Sequence, residues 1–198
     1  MPKPARTDRA ETESEVARPF PGMARVWDPI VRIFHWGLAL SFVVAWVTRH
    51  SSEDIHHLAG YAAGALIGVR LLWGFLGTPY ARFSQFVRHP MTVIRYLGDM
   101  ISGREARYIG HNPAGGAMVL ALIAAMGGTV LTGWMMTTDA YFGVEWVART
   151  HDLVAHGLLL LVLAHLGGVL LASLRHRENL VRAMISGSKR GPAEEDVA

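Results

Sequence analysis

The chain of 198 residues contains no cysteine. Disulfides, thiolate metal sites, iron–sulfur clusters and the Cys-x-x-Cys-His attachment of c-type haem are thereby excluded within it. Charge is also scarce: Asp, Glu, Lys and Arg make up 18% of the residues, against 51% hydrophobic. It is almost missing from four long blocks, at about 30–48, 55–77, 114–136 and 151–174. The third block has no charged residue, the second is interrupted only by Arg70, and Leu153–Leu174 has none. Each block is long enough to cross a hydrocarbon layer of about 30 Å. Apolar residues gathered this way, rather than alternating with polar ones, predict an integral membrane protein with four transmembrane helices. A cleavable leader is not evident: the first apolar block starts near residue 30, runs on too far and lacks a small-residue cleavage site.

The formal net charge is +3, which invites a nucleic-acid reading, but the positions of the cations argue against one. Lys3, Arg6, Arg9, Arg18, Arg25 and Arg32 lie before or at the edge of the first block. Arg82, Arg88, Arg95, Arg104 and Arg107 lie between the second and third, and Arg175, Arg177, Arg182, Lys189 and Arg190 follow the fourth. The two short loops carry only Arg49 and Arg149. Sixteen cations against two follows the positive-inside rule and predicts that both termini and the middle loop are cytoplasmic.

Residues 1–24, rich in Pro, Arg, Glu and Thr, have no apolar period and are expected to be a disordered tail. A membrane domain is expected over 25–183, and 184–198 reads as a loose, charged C-terminal tail. Pro29 suits the first turn of the first helix. Gly60, Gly64 and Gly68 follow His56 at intervals of four, a face that admits a neighbouring helix or a flat cofactor. After Pro90, Val93, Ile94, Leu97, Met100 and Ile101 recur at helical spacing, predicting an amphipathic interfacial helix. The third block holds no histidine and is expected to supply packing rather than ligands. Thr137–Thr150 reads as an outer loop whose Tyr141, Phe142 and Trp146 suit the membrane–water interface.

Ten histidines are many for so uncharged a chain. His151 and His165 are fourteen residues apart, which returns a side chain to within about 40° of its starting face and ~21 Å further along a helix. His156 lies about 140° from His151 and about 180° from His165, so it faces elsewhere. His50, His57, His89 and His176 sit at helix ends, where capping or contact with water is the ordinary role. His111 borders the inner surface and reads as structural or propionate-side rather than as a ligand. Four remain. With the topology set by the charges, His35 in the first helix shares the inner depth with His165, and His56 in the second shares the outer depth with His151. Ionisable groups inside a span are functional candidates, and paired imidazoles from different helices suit the axial positions of haem iron. The expectation is an all-α, up-and-down four-helix membrane bundle holding two b-type haems. Iron with both axial positions filled is confined to outer-sphere electron transfer. Arg70, fourteen residues past His56, is expected to meet a haem propionate near the inner pair, with snorkelling to the inner headgroups as the plainer alternative.

The motifs Val26-Trp27-Asp28-Pro29 through Arg32, Phe34-His35-Trp36, His56 with Gly60-Tyr61, Arg70-Leu71-Leu72-Trp73-Gly74-Phe75, Gly110-His111-Asn112-Pro113, and finally His151 and His165 carry a resemblance. Over roughly residues 25–190 the chain resembles the bacterial cytochrome b561 family, related to the cytochrome b subunits of nickel–iron hydrogenases and formate dehydrogenases. The resemblance places haem ligands on His35, His56, His151 and His165, choosing His56 over His57 by its spacing to Gly60-Tyr61. It implies a bacterial inner membrane location, two haem b groups and electron transfer between the membrane quinone pool and a periplasmic partner, a c-type cytochrome or a dehydrogenase or hydrogenase. Some small members of the family suggest a superoxide:quinone oxidoreductase instead. A histidine-based metal-ion transporter is a more distant reading, disfavoured by the lack of carboxylates in the spans.

Overall fold

A computed structural model describes residues 22–191, 196 and 197. The chain enters through a short strand, β1 (Met23–Arg25), and runs into α1 (Pro29–Thr48) and α2 (Glu53–Leu76). A 3-10 turn (Pro79–Ala81), α3 (Phe83–Phe86) and α4 (Pro90–Ile101) make up the middle segment. Two long helices follow, α5 (Pro113–Met136) and α6 (Glu145–Arg175), then α7 (Leu180–Ser186) and β2 (Ser188–Arg190).

Four of these helices, α1, α2, α5 and α6, are long and apolar enough to cross a membrane. They run up and down. The short links 49–52 and 137–144 lie at one end of the bundle, and the middle segment and the described terminal segments lie at the other. Helix α1 packs along α2, α5 along α6, and α2 also meets α5. Between α6 and the first hairpin, three aromatic ring pairs bridge the helices, each using a histidine of α6: His35 with His165, Trp46 with His156, and His56 with His151.

Local chemistry sets the helix starts. The Asp28 carboxylate accepts from Val31 N at 2.9 Å, and Pro29 occupies the first turn, where its missing N–H costs nothing. Ser52 caps α2 more weakly, at 3.5 Å from Ile55 N, with Glu53 and Asp54 favourably placed against the helix dipole. Asn112 caps α5 through Gly115 N at 2.6 Å. Helix α6 starts six residues before the expected 151. Its first turns lie outside the apolar block but are held by a Glu145–Arg149 ion pair of 2.5 Å and by Val147, which is fully buried. With 31 residues it is ~46 Å long, more than a hydrocarbon core requires, so it tilts or protrudes.

The buried apolar cluster of Val26, Trp27, Val31, Phe34, Ala81 and Ile109 sits at the end carrying the termini, where α1 begins and α2 finishes. Asp28 ties the two together: its second carboxylate oxygen accepts from Trp73 Nε1 at 3.1 Å and Thr78 Oγ1 at 2.6 Å. Burial alone would raise this carboxyl's pKa, but the hydrogen bonds from Thr78, Val31 and Trp73 outweigh it and hold the group below its usual range. Gly74 lets Phe83 lie directly on α2, since a Cβ there would collide with the ring.

The C-terminal segment from 184 is not a loose tail where it is described. β2 pairs antiparallel with β1, joining Ala24 to Lys189. Gly187, with a positive φ of 84°, presents its carbonyl to Val26 N and Trp27 N at 3.0 Å each. Lys189 is 8% exposed and donates to the carbonyls of Tyr108, Ile109 and Gly110 at 3.5, 3.0 and 3.4 Å. Burial lowers its pKa, and Arg107 adds to this. Arg107 pairs with Glu178 at 3.1 Å and with Asp196, and Glu178 accepts from Arg190 N at 2.7 Å. Charge thus holds the segment down, where composition alone predicts release. Of the tail expected to be disordered, 1–21 lies outside the described residues, and Met23 and Ala24 belong to the strand pair.

Replacing Asp28 by Ala removes a cap and both ties to the end of α2. It is expected to cost about 1–2 kcal/mol, read as a lower thermal midpoint in detergent, whereas Ser52→Ala, with its longer cap contact, changes the midpoint less.

Candidate functional site

Two histidine pairs cross the bundle at two depths. Toward the short-loop end, His56 in the first turn of α2 and His151 in α6 have ring centroids 6.2 Å apart. Toward the termini end, His35 of α1 and His165 of α6 are 6.4 Å apart. An imidazole centroid lies about 1.1 Å from its nitrogen, and metal–imidazole bonds are about 2.0 Å long, so rings on opposite sides of one metal have centroids ~6.2 Å apart. Both separations match that distance.

The short-loop pair is oriented by backbone. His56 Nδ1 lies 2.9 Å from the Ala45 carbonyl of α1. His151 Nδ1 lies 3.0 Å from the Thr129 carbonyl and 3.1 Å from Thr132 Oγ1, both on α5. With Nδ1–H donating to a carbonyl, the tautomer is assigned and Nε2 keeps its lone pair, which is how metal-binding imidazoles are commonly held. Thr132 also donates its hydroxyl to the Gly128 carbonyl at 2.8 Å. The third span, expected only to pack, therefore positions a histidine. The signal was present: Thr129 and Thr132 are the only hydroxyl side chains in that helix, three residues apart.

A cavity of about 650 Å³ adjoins His56 and His151, lined also by Ser41, Gly60, Ala63 and Gly133. A Cβ on Gly60 would meet nothing within 4 Å, so this glycine leaves room on the cavity side. At Gly133 a Cβ would come within 3.1 Å of His151 Cε1. Gly64, on the same stripe as Gly60, instead packs against Val130 of α5, where a Cβ would be 3.0 Å away.

At the other depth, His35 Nδ1 is shut away from solvent without a partner, and the edge of Trp36 stands against its ring. Arg70 is 3% exposed. Its guanidinium is surrounded by Phe83, Phe34 and Phe86, at 4.9, 5.3 and 5.7 Å from the ring centroids, and Nη1 has no hydrogen-bond partner. No carboxylate among the described residues forms an ion pair with it.

Three other histidines border the short-loop site: His57, whose ring centroid is also 6.2 Å from that of its sequence neighbour His56, and His50 and His156, which line the same cavity. His156 is exposed, stands edge-on to Trp46 and pairs with Asp152 at 3.3 Å. His50 accepts from Arg49 Nε at 3.1 Å, His57 is 3.9 Å from Glu53, His89 caps α4, and His176 ends α6. His111 lies between Trp27 and Phe86, 4.7 Å from each ring centroid, with Nδ1 unpartnered. Burial, and then the charges of Lys189, Arg70 and His165, push its pKa down to about 3, so it is neutral. Among the described residues, no three His, Asp or Glu side chains gather into a metal cage.

The family model for prokaryotic cytochrome b561 matches residues 26–187. The chain belongs to the prokaryotic cytochrome b561 family. No curated protein and no solved structure matched it significantly. It is thus a multi-pass membrane b-type cytochrome of electron transfer. The donor set fits the haem b that a cytochrome b561 implies: imidazoles from different helices at metal-spanning distance, space beside the short-loop pair, and a buried cation with no ion pair among the described residues. Gly133→Val drives a branched side chain into the His151 ring and is expected to weaken haem retention roughly tenfold or more. Gly128→Ala, whose Cβ would make only an ordinary contact at 3.4 Å with Val154, should leave absorbance per mole of protein unchanged.

Proposed function

We propose that this cytochrome b561 holds two haem b groups, His56 and His151 clamping one and His35 and His165 the other. It passes electrons between membrane quinone and a periplasmic redox protein, such as a c-type cytochrome or a dehydrogenase or hydrogenase. The observation that carries this reading is the pair of separations, 6.2 and 6.4 Å, at two depths along one helix. Fourteen residues of α6 put the two sites ~21 Å apart along the axis. A bis-imidazole haem exchanges one electron and has no open position for oxygen or substrate.

The remaining work belongs to the chain. Ala45 and Thr129 fix two of the four rings through their carbonyls, so those imidazoles need little reorientation on changing redox state. Gly60 keeps one side of the short-loop cavity open to a flat macrocycle. Arg70, enclosed by phenylalanines, supplies a desolvated positive charge for a haem propionate at the other site. The distribution of Lys and Arg supports an orientation with both termini cytoplasmic, placing the His35–His165 site on the inner side and His56–His151 on the outer.

Dithionite-reduced minus oxidised spectra of the purified protein should show a b-type signature, with two haems per chain by pyridine haemochrome. In His165→Leu the inner haem is lost and the outer stays, so haem content falls by about half and one wave of the redox titration disappears. His56→Leu should remove the other wave. A His165→Leu protein that keeps both haems would falsify the pairing.

A further inference from the structure

Buried nitrogens without partners are uncommon, and each needs an explanation. Among the described residues four side-chain nitrogens are in this position: Arg32 Nε, His35 Nδ1, Arg70 Nη1 and His111 Nδ1. Two are accounted for locally. Arg32 is anchored through Nη1 to the Ser186 carbonyl at 3.3 Å, and His35 belongs to the paired imidazoles. Arg70 and His111 remain, from different segments, and both touch one ring: Phe86 is 5.7 Å from the Arg70 guanidinium carbon and 4.7 Å from the His111 centroid.

Nearby carboxylates are already committed. Asp28, whose charge reaches Arg70 without forming an ion pair, already accepts from Val31, Trp73 and Thr78, Glu105 pairs with Arg175 at 2.7 Å, and Glu178 pairs with Arg107. A guanidinium and an imidazole N–H, both denied water, suit an anion with several oxygens that arrives from outside the chain. His111 does not need its own charge for this, because a neutral imidazole still donates one N–H. It is also held firmly in place. Its ring is packed between Trp27 and Phe86, tilted to both, and Lys189 fixes the backbone leading to it through the carbonyls of Tyr108, Ile109 and Gly110.

We infer that Arg70 and His111 form one anion seat, taking the two propionate carboxylates of the tetrapyrrole that His35 and His165 clamp. This rests on the haem reading above. His111 is then a cofactor-anchoring donor rather than an axial ligand. Lys189, on the C-terminal strand, is a positioning residue for it.

Redox-induced infrared difference spectra of the intact holoprotein, with haem labelled by ¹³C in its propionate carboxyls, test the seat. Wild-type propionate bands should lie at hydrogen-bonded positions. His111→Phe keeps an aromatic ring between Trp27 and Phe86 and loses the donor, so it should shift one propionate band and speed haem loss to apomyoglobin roughly tenfold or more. His111→Asn, which returns an N–H near the place of Nδ1, should restore both. Propionate bands that do not move in His111→Phe overturn the seat even if haem loss quickens, because a merely structural histidine would have that effect. Should His111→Phe fail to fold, wild-type bands at the positions of free, water-exposed carboxylates overturn it equally. Protein purified without any b-type haem overturns the functional reading and the seat with it.

Discussion

A polar side chain within the hydrocarbon layer has no water to turn to, so its partner must come from the protein or from something the protein binds. This constraint organises the bundle. The spans contain few such groups, and the principal ones lie along α6 and the helix faces opposite it. At the short-loop depth the constraint is met by backbone: Ala45 and Thr129 each give a carbonyl to one histidine nitrogen. Each imidazole still has a second nitrogen, and the two rings stand at the separation a shared metal requires. At the other depth the chain leaves more unmet, in His35 Nδ1 and Arg70 Nη1. The second of these is what the propionates of a bound haem would use.

The two ends of the molecule are built differently. The short-loop end has a cavity, exposed aromatics and a few surface ion pairs such as Glu145–Arg149, which contribute little to stability. The termini end has the apolar cluster, the buried Arg107 paired with Glu178 and Asp196, and the buried Lys189 bonded to three backbone carbonyls. Removing one member of the Arg107–Glu178 pair strands the other, typically at a cost of about 3–5 kcal/mol, and losing Lys189 leaves three carbonyls without their donor. Arg107, Glu178 and Lys189 are therefore structural commitments, even where their net contribution over an apolar replacement is small. They shape the wall against which Trp27 and His111 pack.

The four spans could be read from the chain because hydropathy and length suffice when the surroundings are lipid. The alignment of His151 with His165 could be read because it follows from the pitch of one helix. Separations of 6.2 and 6.4 Å could only be measured, since they depend on how far α6 stands from α1 and α2. The extra turns of α6 escaped a hydropathy boundary because Glu145 and Arg149 are polar but support each other one turn apart. The role of α5 was hidden in a backbone carbonyl, which every residue has. Its two threonines were the only local hint. The C-terminal segment was misjudged because its charges read as solvated, and their partners lie some seventy to ninety residues earlier in the chain.

That last contact reaches the redox-site geometry by a short route. The Gly187 carbonyl receives two N–H groups from Val26 and Trp27, directly before the Asp28 cap of α1. His35 follows seven residues later, two turns into the same helix. On the other side, Lys189 holds the turn that carries His111. The C-terminal strand thus fixes both the helix bearing one member of the His35–His165 pair and the loop beside it. A helix starting in free solvent could fray over its first turn, and a shift of one residue there would rotate His35 by about 100° away from His165. Pinning the first turn of α1 from both Asp28 and Gly187 removes that freedom.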